Sequence, residues 1–171
     1  MSKATAMNKP LTEMFQKHSF EKIYHCLTRP NPLRPGKKVN CQILSETEWL
    51  ITNYMAPAKG MGGKKRMISV RSGGWAAETK FKILKKEPNY FFIEAIPKTG
   101  RTHQIRQHLQ ESYRSILGDN IYGGKSAEVP RLMLHAKSLC FKHPATGADV
   151  IIEAPYPKDF ESVLNSSCSN K

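Results

Sequence analysis

Apolar and polar positions alternate most clearly over Glu78–Leu84 and Tyr90–Ile96. A period of two puts successive side chains on opposite faces of a strand, so these segments predict paired strands with one buried sheet face. Lys85-Lys-Glu-Pro-Asn89 supplies the turn between them. Lys22–Thr28 reads as an earlier strand. Leu132–Phe141 and Val150–Glu153 read as later ones, separated by a turn at His143-Pro-Ala-Thr-Gly147. Val39–Leu44 predicts another extended segment, and the mixed pattern of Glu46–Met55 fits a strand or a short helix. Arg29–Gly36 holds three prolines and must be irregular. Helical spacing is confined to three places. Leu11–Phe20 has Leu11, Met14 and Phe15 on one face, Arg101–Glu111 begins as a loop and turns helical, and Asp159–Leu164 forms a terminal turn or two. Ala56–Met67, rich in glycine and lysine, predicts a solvated loop. It lacks the Gly-x-x-x-x-Gly-Lys-Ser/Thr order that wraps a phosphate. Many strands and few long helices argue for an α+β fold around a mainly antiparallel sheet. Residues 1–10 read as a flexible leader, 11–164 as one domain and 165–171 as a flexible tail.

Charge narrows the partners. The 171 residues suffice for one domain with a hydrophobic core. They carry 27 Lys+Arg against 14 Asp+Glu, a formal charge of +13. Such an excess fits a polyanion, nucleic acid first and an anionic membrane surface second, and equally a charge that serves solubility alone. No apolar run is long enough to span a membrane. Cys26, Cys41, Cys140 and Cys168 contain no close ligand pair, and no apolar run follows Met1-Ser-Lys-Ala-Thr-Ala-Met. A reducing, cytoplasmic compartment is the simple expectation. Cys26 and Cys140, each beside apolar residues, are expected in the core.

The candidate chemistry gathers in Thr99-Gly-Arg-Thr-His-Gln-Ile-Arg106, between a strand and a helix. Arg101 and Arg106 offer rigid forks of donors that remain charged. Ile105 and Leu109 lie four apart and pack inward, which places Arg106 at a buried edge. A partly buried arginine needs an acceptor: a substrate phosphate, a catalytic carboxylate or a structural aspartate. His103 and His108 are five apart, the wrong spacing for a zinc helix, so no metal is expected. Asp119 and Tyr122 sit in a glycine-bounded turn and read as scaffold. Tyr24, in an apolar strand, reads as core or as a platform beneath a base.

Four separated segments together resemble the RluA-type branch of RNA pseudouridine synthases. They are Thr99–Leu109, Ile116-Leu-Gly-Asp-Asn-Ile-Tyr-Gly123, Arg131–Gly147 and Pro155-Tyr-Pro-Lys-Asp-Phe160. Phe20-Glu-Lys-Ile-Tyr24 resembles the segment entering that family's tyrosine strand. The likeness covers roughly Leu11 to Leu164 and keeps the family's order. It implies a pseudouridine-synthase-like sheet with flanking helices, structured RNA (ribosomal or transfer) across a basic cleft, and isomerisation of uridine to pseudouridine without a cofactor. By motif match Tyr24 takes the tyrosine role and Arg106 the arginine role. Arg101, His103 and Gln104 shape the loop or touch RNA, and Leu134 walls the pocket.

One departure matters. The family's His-Arg-Leu-Asp motif does not occur in this chain, and no other aspartate stands in an equivalent context. The resemblance therefore implies a partial catalytic domain whose Arg106 lacks its carboxylate partner. On that basis the isolated chain is expected to isomerise uridine poorly. The alternatives are a non-catalytic RNA-binding remnant and a basic ribosome-associated protein.

Overall fold

The computed structural model describes residues 20–60, 63, 65–123 and 129–166. The leader at 1–10, nearly all of the helix expected at 11–20, and residues 167–171 of the tail lie outside them. The strands are β1 (Glu21–Thr28), β2 (Asn40–Ile43), β3 (Glu48–Lys59), β4 (Lys65–Val70), β5 (Trp75–Lys86), β6 (Phe91–Pro97), β7 (Leu134–Lys142) and β8 (Asp149–Glu153). The helices are α1 (Gln104–Glu111) and α2 (Lys158–Asn165). The strands form one sheet in the order β2-β3-β5-β6-β1-β7-β8, with β4 also paired to β3. Every pairing between these strands is antiparallel.

β3 organises one end of the sheet. Its first half pairs with β2 (Trp49 opposite Ile43), and its second half pairs on the same edge with β4 (Tyr54 opposite Val70). The ambiguous Glu46–Met55 pattern is thus a strand. The solvated loop expected at Ala56–Met67 is instead mostly hairpin, with Ala56 opposite Ile68 and Lys59 opposite Lys65. The hairpin needs no strong alternation, because it is held by its backbone ladder and a small cluster of Met55, Met67 and Ala77. Cys26 is fully buried, but Cys140 is only half-buried, since the outer half of β7 is flanked by the edge strand β8.

The main core joins Cys26, Ile93 and Ala95 to Trp49, Phe81, Ile105 and Leu109. Trp49 stacks on Phe81 with ring centroids 5.3 Å apart. Tyr156 and Phe160 lie against His135, and Tyr156 against His25 and Phe92, on the opposite face of the sheet from Tyr24 and Cys26.

α1 docks through a polar stripe as well as an apolar one. Gln104, Gln107 and His108 are buried at helical spacings of three and four. Gln107 Nε2 donates to Ser69 Oγ of β4 at 2.6 Å, and Asn53 Nδ2 of β3 donates to the same oxygen at 2.8 Å. His108 Nε2 sits 2.9 Å from Asn53 Oδ1, and its Nδ1 sits 3.0 Å from Thr79 Oγ1 of β5. Thr79 Oγ1 also accepts from Gln104 Nε2 at 2.9 Å. With the amide of Asn53 so placed, the network fixes one neutral tautomer, with Nε2–H donating and Nδ1 accepting. A buried polar layer of this kind has to be satisfied throughout, and it fixes the axial position of α1 on the sheet.

Burial lowers the His108 pKa to about 3. The unfolded chain, near 6.5, binds that proton more readily, so the contribution is complete above about pH 6.5 and is lost as pH falls toward about 3. His25 and His103 are shifted in the same direction, chiefly by burial. Urea denaturation from pH 7 to pH 4 should therefore show stability falling, with His108 contributing at most about 1.4 kcal/mol per pH unit. His108→Gln should lower the plateau and flatten the slope by about one proton. An unchanged slope would show that His108 is not held neutral by the fold.

Candidate active site

The loop between β6 and α1 is held from below by one amide. Gln104 Oε1 accepts from Thr99 Oγ1 at 2.7 Å and from the Arg101 backbone N–H at 3.0 Å, while its Nε2 donates to the Glu78 carbonyl at 2.9 Å. Thr99 Oγ1 in turn accepts from the Glu78 N–H at 3.0 Å. Gln104 is therefore spent inside the protein, and its role in the site is to shape the loop. His103, in the left-handed region at φ 57°, begins the helix. Its Nδ1 lies 3.3 Å from the Tyr122 hydroxyl, and its ring meets the Tyr122 ring edge-on. Burial and the nearby Arg106 charge lower the His103 pKa, against the opposing pull of Asp119.

Arg106 pairs with Asp119, the structural aspartate among the three acceptors that its partial burial allowed. Its Nε donates to Asp119 Oδ2 at 2.9 Å and its Nη2 to Oδ1 at 2.7 Å. Asp119 is fully buried, whereas the Arg106 side chain keeps 14% of its surface exposed. Oδ1 also accepts the backbone N–H groups of Ile121 and Tyr122. Burial alone would raise the Asp119 pKa, but the hydrogen bonds from Arg106, Tyr122 and Ile121 prevail and hold it below the usual carboxylate value. Gly118, at φ 73°, makes the turn possible, because a Cβ there would collide with the Arg131 carbonyl. Asp119 is thus a structural acceptor, fully buried and bonded to Arg106 and two backbone N–H groups, as the turn suggested, and it is poorly suited to attack a sugar carbon. The hydroxyl of Tyr122 accepts from the Met67 N–H at 2.7 Å, which ties this unit to β4.

All six candidate residues from the sequence line one cavity of about 310 Å³: Tyr24, Arg101, His103, Gln104, Arg106 and Leu134. Topology brings them together. Tyr24 pairs across β1 with Ala95 of β6, and β6 runs directly into the loop that carries Arg101 and His103. Leu134 lies at the start of β7 on the other side of β1, where Ala136 is opposite Tyr24. Lys22, Thr99 and Ile105 also line the cavity and were not singled out from the sequence. Lys22 lies two residues from Tyr24 on the same strand, so alternation alone placed it on the same side. No aspartate or glutamate is among the described lining residues. Among the described residues no cluster of three His, Cys, Asp or Glu could hold a metal ion.

A cavity with a flat ring on one wall and a fixed guanidinium on another can receive a planar polar base. The family model for RNA pseudouridylate synthase matches residues 1–111. Ribosomal large subunit pseudouridine synthase C of Vibrio vulnificus is 38% identical over 107 residues, covering 58% of this chain and 34% of that protein. The synthase C of Yersinia pestis is 31% identical over 171 residues, covering 96% of this chain and 49% of that protein. The chain thus spans between about a third and a half of the length of these relatives. The solved structure of human RNA Pseudouridylate Synthase Domain Containing 1 shares the fold, with a TM-score of 0.70 at 21% identity, covering 98% of this chain and 74% of that one.

The two bidentate arginine pairs provide a test of the site's construction. Asp119→Asn leaves Arg106 charged against a neutral amide in a mostly dry setting and should cost about 3 kcal/mol in chemical denaturation. Asp159, paired with Arg131 at the surface, should tolerate the same change with little loss. Equal effects at the two sites would contradict the role given to the Arg106–Asp119 pair.

Proposed function

The chain belongs to the RNA pseudouridylate synthase family, and from that premise we propose that it binds structured RNA, ribosomal or transfer, and receives one uridine in the cavity between Tyr24 and Arg106. The convergence of Tyr24, Arg106, Leu134 and the Arg101–Gln104 loop on that single cavity carries the reading. Residues 11–164 act in it as one catalytic-domain unit, in the cytoplasm, where the free thiols of Cys26, Cys41 and Cys140 remain reduced.

Conversion of uridine to pseudouridine breaks the bond from uracil N1 to the ribose, turns the ring and joins C5 to the same carbon, and the proton lost from C5 is matched by one gained at N1. Atoms and electrons balance within the substrate. Tyr24 provides the surface on which the extruded ring lies. Arg106, with Nε and Nη2 held by Asp119, has Nη1 without an acceptor among the described residues and supplies an oriented donor at the wall. Arg101, anchored by its Nε to the Ala76 carbonyl at 3.0 Å, keeps its remaining donors for phosphate. The step that cleaves the glycosidic bond needs a carboxylate, which in this reading enters from outside the cavity's described lining.

A second reading, RNA binding without isomerisation, draws on the absence of an acidic residue from that lining. A salt series of RNA binding combined with a pseudouridine assay separates the two. Binding should weaken steeply with salt, and Arg101→Ala should lower the salt slope by about one. Arg106→Lys, which keeps a charge beside Asp119, should reduce pseudouridine formation more than binding. Pseudouridine formed by this chain alone eliminates the second reading, and binding with no product favours it. No binding to structured RNA at low salt rejects both.

A further inference from the structure

A larger cavity, of about 630 Å³, adjoins the first and shares Gly100, Arg101 and His103 with it. Its far walls come from the β3–β4 hairpin, through Lys59, Lys65 and Arg66, and from the first residue of β5, Trp75. Among the described lining residues four are Lys or Arg and none is acidic. Neither the isomerisation chemistry nor the family motifs use Lys59, Lys65, Arg66 or Trp75.

Trp75 is held in an exposed position by the backbone around it. It is 54% exposed, while the other tryptophan, Trp49, is 2% exposed. Gly73 takes φ 73°, and a Cβ on Gly74 would come within 2.7 Å of both the Met55 carbonyl oxygen and Val70 Cγ2. The turn therefore passes tightly over β3 and delivers Trp75 opposite Met55 in the ladder. From the other side, Arg101 grips the carbonyl of the next residue, Ala76. Arg66 lies with its guanidinium carbon 5.4 Å from the Tyr122 ring centroid, and its buried Nε has no hydrogen-bond partner among the described residues.

We propose that this second cavity is a subsite for the nucleotide flanking the target uridine, with its base stacked on Trp75 and its phosphate held by Lys59, Lys65 and Arg66. The inference rests on the reading of the first cavity as a uridine site. An aromatic face surrounded by cations is the arrangement that binds unstacked nucleic acid with little sequence preference. The shared wall allows one strand to place successive bases in the two cavities, and a base drawn out of a helix next to the target would stabilise the extruded uridine. Discrimination among targets then depends on how readily the flanking nucleotide unstacks rather than on base-edge contacts.

The two tryptophans make the test direct, since Trp49 is shielded and Trp75 dominates any quenching by ligand. Titration with a single-stranded RNA hexamer containing one central uridine should quench the exposed emission in parallel with binding followed by the anisotropy of labelled RNA. Trp75→Ala should weaken binding about tenfold, and Trp75→Phe should retain most of the affinity. An RNA made abasic at the correct one of the two positions flanking the uridine should bind the wild-type chain as weakly as the intact RNA binds Trp75→Ala, with no further loss when the two changes are combined. Unchanged affinity of Trp75→Ala, or insensitivity to an abasic nucleotide on either side, overturns the subsite and leaves the uridine reading standing. Failure of any RNA to bind at low salt removes both. Equal quenching by vesicles of anionic lipid would show a surface that responds to charge alone and would also overturn the proposal.

Discussion

The Arg106–Asp119 pair is the interaction on which the site depends. Two charges removed from water are held together because two parallel N–H donors from arginine meet both carboxylate oxygens and two backbone N–H groups converge on Oδ1 as well. Through this pair α1 is tied to the 116–123 turn, and through Tyr122 the turn is tied to β4. Removing either charge would loosen the 116–123 turn from α1, while the polar layer and the β3–β4 ladder still hold the helix and the hairpin. The pair also sets the electrostatics of the first cavity. Arg106 is paired as a charge but remains as an oriented donor, so the other cations of the lining are Lys22 and Arg101.

A second constraint is the polar layer under α1. Gln104, Gln107 and His108 reach β5, β4 and β3 through Thr79, Ser69 and Asn53, so the helix is keyed to three strands by directional bonds. An apolar face alone would tolerate sliding by a fraction of a turn. Here sliding would break several buried hydrogen bonds together, and Arg106, between Ile105 and Gln107, is held in register with its turn. Precision at the cavity is thereby inherited largely from Gln107 and His108, which lie outside its lining.

Much of the fold was legible because it is written in local periods. The alternation at Glu78–Leu84 and Tyr90–Ile96, the prolines of Arg29–Gly36 and the apolar pair Ile105 and Leu109 each act over a few residues, and the structure follows them closely. The partial burial of Arg106 was also readable, since its neighbour Ile105 had to face the core. Its partner was not. Three acceptors fitted the local argument equally, and choosing Asp119 required the turn at Gly118 to bring residues 13 apart into contact. The β3–β4 hairpin was misread for a related reason: glycine and lysine are weak strand formers, and the ladder along β3 supplies what their propensity does not. Trp75 attracted no notice, because a lone tryptophan after two glycines carries no periodic signal.

The sequence by itself determined the alternating strands, the loop-to-helix motif, the excess of positive charge and the identity of the residues able to hold a base. These are properties of neighbours along the chain, set by backbone stereochemistry and side-chain chemistry. Only the tertiary structure decided that Tyr24, Leu134 and Arg106 face one cavity, that Asp119 satisfies Arg106, and that Trp75 and the hairpin cations share a wall with the site. Such facts depend on which strands pair and in what register, and pairing is settled by the simultaneous burial of many side chains, which no short stretch of sequence contains.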